Sequence, residues 1–141
     1  MNNLFVYLLF GHLFGDYFFQ NNWMAQSKKK KGFEGTLACF IHCFMYTVII
    51  IGFLSVIPYS LSASQVILIF LSHWILDRYD FIQHWCEING IRSWKSEIEG
   101  KDMNDPATVR DSVNISFGAF VNTVQDNTLH LFLMWLILIL L

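Results

Sequence analysis

Long apolar runs alternate with short polar connectors along this chain. The runs cover about residues 4–24, 33–57, 65–85 and 118–141. Each is near the ~20 residues a helix needs to cross a bilayer core. Pro58 closes the second run, and the uncharged stretch 58–64 links it to the third, as expected where proline stops a helix. In the connectors, Asn89-Gly90 reads as a turn. Asp105-Pro106 reads as an N-cap followed by proline at the first helical position. Beyond it, Val109, Val113, Phe117 and Phe120 recur at helical spacing, with Arg110, Asp111 and Asn114 between them. That pattern suits a short amphipathic helix lying on a membrane surface. The predicted architecture is all-α: a single transmembrane domain over 1–141, a four-helix bundle with one interfacial helix. Its cytoplasmic connectors are 25–32 and 86–117. Gly11 and Gly15 form a small-xxx-small pair in the first helix, which lets a neighbouring helix approach closely.

Composition supports this reading. Only 14% of residues are charged and 55% are hydrophobic, with a mean hydropathy of +0.44. A soluble domain averages about 25% charged residues, and a chain this short has little interior in which to hide so much apolar surface. The start Met-Asn-Asn carries no early Lys or Arg, so the first run reads as a retained helix rather than a signal peptide. Net charge is -2, which gives no electrostatic case for nucleic acid. All nine Lys and Arg residues fall in 28–31 and 78–110. Four crossings put both basic clusters on one side, and the positive-inside rule makes that side cytoplasmic. The expected location is the cytoplasmic (inner) membrane, multi-pass, with both termini and the 58–64 connector outside. Trp23, Tyr79, Trp85 and Trp94 read as interface anchors. Lys28–Lys31 reads as a topology determinant that also meets anionic lipid heads.

The polar residues inside the runs carry the chemistry. Four of the five histidines lie in apolar segments, and three share a helix face with an aspartate: His12/Asp16, His73/Asp77 and Asp126/His130, each spaced i,i+4. His42 stands in the second run. Ionisable groups at membrane depth are costly and usually mark a site or pathway. At about 1.5 Å per residue, the four groups fall in one layer, between mid-membrane and the cytoplasmic leaflet. Imidazole with carboxylate is a donor set for a divalent metal, zinc foremost, and the seven residues suffice for one or two ions. Gln20 and Tyr46 lie one turn from Asp16 and His42, where they could orient ligands. Asp16 or Asp77 could serve as general base. His84 reads as an interfacial histidine. Cys39, Cys43 and Cys86 read as buried, reduced packing residues, with a thiolate role for Cys39 or Cys43 beside His42 as the alternative. Two other uses of the same His/Asp set stay open. One is a divalent-cation or proton channel or transporter, and the other is polar glue or a metal staple between helices.

The run Gly11-His12-Leu13-Phe14-Gly15-Asp16, then Gln20, then Met24-Ala25 with Lys28, resembles the GHLxGDxxxQ…MAxxK opening of a small bacterial and phage integral membrane family of unknown function. His42 with Tyr46, the His73/Asp77 pair and the Asp126/His130 pair fit the same pattern, so the likeness spans nearly the whole chain. One departure is Asn127, where that pattern has glutamine. The family is similar in turn to membrane-bound predicted metal-dependent hydrolases. The resemblance implies metal binding, and by analogy hydrolysis of an amphiphilic or membrane-apposed substrate from the cytoplasmic side. The expected partners are the bilayer, such a substrate or an ion, and a further copy of the chain.

A cysteine placed at Ser60 should react with an impermeant thiol reagent on intact cells, and one at Lys30 only after permeabilisation. The reverse pattern would overturn the orientation.

Overall fold

In the computed structural model, residues 3–90, 102 and 112–141 are described. They are helical apart from connectors: α1 (Leu4–Leu13), which runs into a π-helical turn (Phe14–Phe18), α2 (Asn22–Ser27), α3 (Phe33–Leu54), α4 (Ala63–Tyr79), α5 (Phe81–Asn89) and α6 (Ser112–Leu140). Two of them are long and apolar enough to cross a membrane: Phe33–Leu54, with mean hydropathy 2.3, and Ile115–Leu140, with 1.4. The chain divides into two compact units, one of residues 1–79 with 129–141, the other of residues 80–128.

The helix boundaries depart from the expected ones for local reasons. The first run is not one helix over 4–24. After Leu13 the backbone widens into the π turn, where the Phe19 amide reaches back to Phe14 O at 3.1 Å. Asn21 then takes an extended conformation, and its side chain accepts from the Met24 amide at 2.9 Å. That is a side-chain N-cap, and it starts a separate helix. The second run ends at Leu54 rather than Ile57. Ser62 and Gln65 open α4 with reciprocal bonds: the Gln65 amide donates to Ser62 Oγ and the Ser62 amide to Gln65 Oε1. This is a capping box. The third run breaks at Asp80, whose φ of +52° lies in the left-handed region, one that Asp tolerates better than most residues. Asn89-Gly90 forms its turn, with Gly90 left-handed at φ +62° after α5. In place of a break near Gly118, α6 runs unbroken from Ser112, so residues 112–120 are continuous with the fourth run. The rest of the expected interfacial helix, and Trp94, lie outside the described residues.

In the first unit, α3 is the central helix. Gly35, Ala38, Cys39, His42, Cys43, Tyr46, Ile50 and Leu54 form its buried stripe. Against it lie Leu8, Gly11, His12 and Gly15 of the first helix. Ile69, His73, Leu76 and Asp77 belong to α4, and His130, Met134 and Leu138 to α6. The glycine pair has the expected use. A Cβ on Gly15 would meet the Tyr46 ring at 2.5 Å, and one on Gly11 would meet Ile50 Cδ1 at 2.9 Å. The outward faces are apolar: Phe5, Phe10, Phe40, Phe44, Val48, Ile67, Leu71, Ile75, Phe132 and Ile139 are all exposed. Charged and polar side chains are buried instead, among them His12, His42, His73, Asp77 and His130.

In the second unit, Cys86 of α5 lies against α6. It donates to Gln125 Oε1 at 3.4 Å and accepts from Asn122 Nδ2 at 3.8 Å. His84 is exposed beside Glu87.

The close approaches predict that Gly15→Ala and Gly35→Ala both destabilise the fold. The second would drive a Cβ into the backbone oxygen of Lys30. Overpacking of this kind costs about 1–3 kcal/mol, which should appear as a lower unfolding midpoint in detergent. Gly52→Ala, which meets nothing within 4 Å, is the control and should not fall.

Candidate metal centre

Four side chains from three segments converge in the first unit. Asp16 comes from the π turn, His42 from α3, and His73 and Asp77 from α4. The π turn adds a residue to the helix repeat, a device common at functional sites, and here it carries the carboxylate. His42 Nε2 lies 3.0 Å from His73 Nε2. It also lies 3.0 Å from Asp77 Oδ2 and 3.3 Å from Asp16 Oδ1. His73 Nε2 is 3.3 Å from Asp16 Oδ1 and 3.4 Å from Asp77 Oδ2. Bonds of about 2.0–2.2 Å in a tetrahedral zinc site put neighbouring donor atoms about 3.3–3.6 Å apart. The observed spacings are near those edges, slightly contracted. Asp16, His42 and His73 are therefore a group that could hold a metal ion, and Cys43, His73 and Asp77 are a second.

Burial makes the grouping chemically demanding. His42 and His73 are 1% and 2% exposed, Asp77 4% and Asp16 15%. Two imidazole nitrogens and two carboxylate oxygens meet with few protons to share among them. Asp16 Oδ1 and His73 Nδ1 are buried with no hydrogen-bond partner among the described residues. Unsatisfied groups at this depth are costly, and a cation amid the four donor atoms would complete the Asp16 oxygen.

Of the other expected site residues, His12, Tyr46 and His130 adjoin this centre. His12 Nδ1 lies 2.9 Å from the Tyr46 hydroxyl and 3.4 Å from Asp16 Oδ2. The Tyr46 hydroxyl also donates to Met134 Sδ at 3.7 Å, and its ring stacks on His73 at 3.7 Å. His130 packs its ring on His12 and His73, and its Nε2 is 3.8 Å from Asp77 Oδ1. Gln20 falls in the non-helical link between the π turn and α2, and its Nε2 is buried with no hydrogen-bond partner among the described residues. Asp126 precedes His130 by one turn on α6, in the segment belonging to the second unit.

Lys28 is the participant that sequence reasoning placed elsewhere. Its Nζ donates to Asp77 Oδ2 at 2.8 Å, and the side chain is only 14% exposed. Lys29–Lys31 are exposed, so one member of the basic block turns inward. The connector is held in place for this. Arg78, next to Asp77, donates to Lys28 O at 2.9 Å and Lys30 O at 2.7 Å. Ser27 and Lys30 both donate to Glu34. The signal available was the lysine of the MAxxK motif, which differs from its neighbours in being part of a pattern.

Fold and site together define an all-helical protein with an apolar exterior and a buried histidine–aspartate cluster that could hold a metal ion. The chain belongs to the family described as protein of unknown function DUF3307, whose model matches residues 4–141. No curated protein and no solved structure matches it.

The Lys28–Asp77 pair makes a thermodynamic prediction. Removing one partner of a buried pair leaves a charge without compensation, at a cost on the order of 3 kcal/mol. Lys28→Met should therefore lower the stability of chelator-treated protein markedly. Asp77→Asn added to it should recover part of the loss. Strict additivity of the two changes would show that the pair is not coupled.

Proposed function

We propose that the protein is a multi-pass protein of the cytoplasmic membrane that hydrolyses an amphiphilic or membrane-apposed substrate with a bound divalent metal, zinc foremost. The carrying observation is the set of 3.0–3.4 Å spacings among Asp16, His42, His73 and Asp77. The apolar exterior supports the bilayer: large exposed apolar faces on helices suit lipid contact, whereas ionisable groups gathered inside suit a functional site. Four crossings with both termini outside remain the topology that best fits the basic connectors. Likeness to membrane-bound predicted metal-dependent hydrolases adds the reaction class by analogy alone.

His42, His73 and Asp77 would hold the ion and leave a fourth position for water, with Asp16 beside that position and His12 and His130 near for a second. Asp126 stays an expected ligand through its pairing with His130. A metal bound there supplies a water of lowered pKa. Asp16 is the better candidate for general base, because it is the more exposed carboxylate and Asp77 is already committed to Lys28. Tyr46 fixes the His12 ring through its hydroxyl and packs flat on His73, as partners that orient ligands do.

A channel for cations or protons fits less well. Above the cluster, Leu8, Ile50, Leu54, Ile69, Met134 and Leu138 form a continuous buried apolar core with Tyr46. Such a plug suits a closed site reached from one side.

The test is turnover by detergent-purified full-length protein on ester and phosphodiester reporters. Activity should vanish on chelation and return with zinc, and Asp16→Asn should lower it at least ~100-fold, the typical worth of a general base. Bound metal with no turnover, and unfolding on chelation, would instead favour a metal staple.

A further inference from the structure

We infer that Cys43 is a metal ligand, so that the centre has a mixed nitrogen, oxygen and sulfur donor set selective for a thiophilic ion. This rests on the metal-site reading above and adds the class of ion. Cys43 is fully buried on α3, one residue after His42. Its sulfur and the donor atoms of His73 and Asp77 all lie within 4.8 Å of one another. All three residues are buried. A packing cysteine needs only apolar neighbours, yet this one faces an imidazole and a carboxylate.

His73 gives an independent reason. It is 2% exposed, and its Nδ1 has no hydrogen-bond partner among the described residues. His73 belongs to two donor groups, with Asp16 and His42 in one, Cys43 and Asp77 in the other. A buried ring whose Nε2 lies 3.0–3.4 Å from an imidazole nitrogen and two carboxylate oxygens is expected at the meeting point of a coordination sphere rather than in a packed core. Cys39 supplies a contrast on the same helix. Its sulfur is 3.8 Å from that of Cys43, but it joins neither group.

The consequence is selectivity. Carboxylate and water sets favour magnesium, calcium or manganese, whereas adding a thiolate favours zinc and its tetrahedral analogue cobalt. A magnesium-type site would have no use for Cys43.

Cobalt(II) substitution of the full-length protein in detergent tests this. Wild type should show a sulfur-to-cobalt charge-transfer band in the near ultraviolet beside the visible d–d bands. Cys43→Ser should lose the charge-transfer band and keep d–d bands, and Cys39→Ser should keep both. Visible bands without the sulfur band in wild type would overturn the Cys43 assignment while leaving the His/Asp centre standing. No cobalt binding at all would overturn both. If Cys43→Ser does not fold, X-ray absorption of zinc-loaded wild type decides. One sulfur at about 2.3 Å is expected beside nitrogen and oxygen at about 2.0–2.2 Å, and a shell of nitrogen and oxygen alone would contradict it.

Discussion

The contact between two histidine nitrogens 3.0 Å apart, flanked by the buried Asp77 and the part-buried Asp16, is the constraint around which the first unit is arranged. Nothing in an apolar helix bundle requires it. Burying four such groups costs free energy unless they are paired or coordinate a metal. The surrounding structure is what keeps them together. Gly15 in the π turn lets Tyr46 approach, Tyr46 braces His12 and His73, and Arg78 straps the connector that delivers Lys28.

The arrangement inverts the usual plan of a soluble domain. Phenylalanines and valines such as Phe5, Phe40, Phe44 and Val48 face outward, and His12, His42, His73, Asp77 and His130 face inward. Two of the helices are also long and apolar enough to cross a membrane. The apolar core on one side of the cluster and the basic connector on the other give the site a direction.

Much of this was legible in the sequence, for physical reasons. The i,i+4 spacing placed His73 with Asp77 and His12 with Asp16, because a helix repeats that way wherever it forms. Charge segregation suggested that the four groups share a depth, and His12, His42, His73 and His130 do meet. Helix ends were less legible. Asn21 as a cap and Asp80 as a left-handed residue act through single backbone angles, which hydropathy does not record. The π turn at Asp16 leaves no mark in the pattern at all. Lys28 was hidden by Lys29–Lys31, since four like residues in a row look alike until one of them finds Asp77. Cys43 was hidden by its own ordinariness in an apolar run.

The central claim is that the buried cluster is a metal centre, and metal content measures it most directly. Protein purified in detergent without added metal, analysed for elements per chain, should carry at least one divalent ion in stoichiometric amount, and His73→Ala should carry little. Wild type free of stoichiometric metal, and unable to take up zinc after purification, would contradict the account.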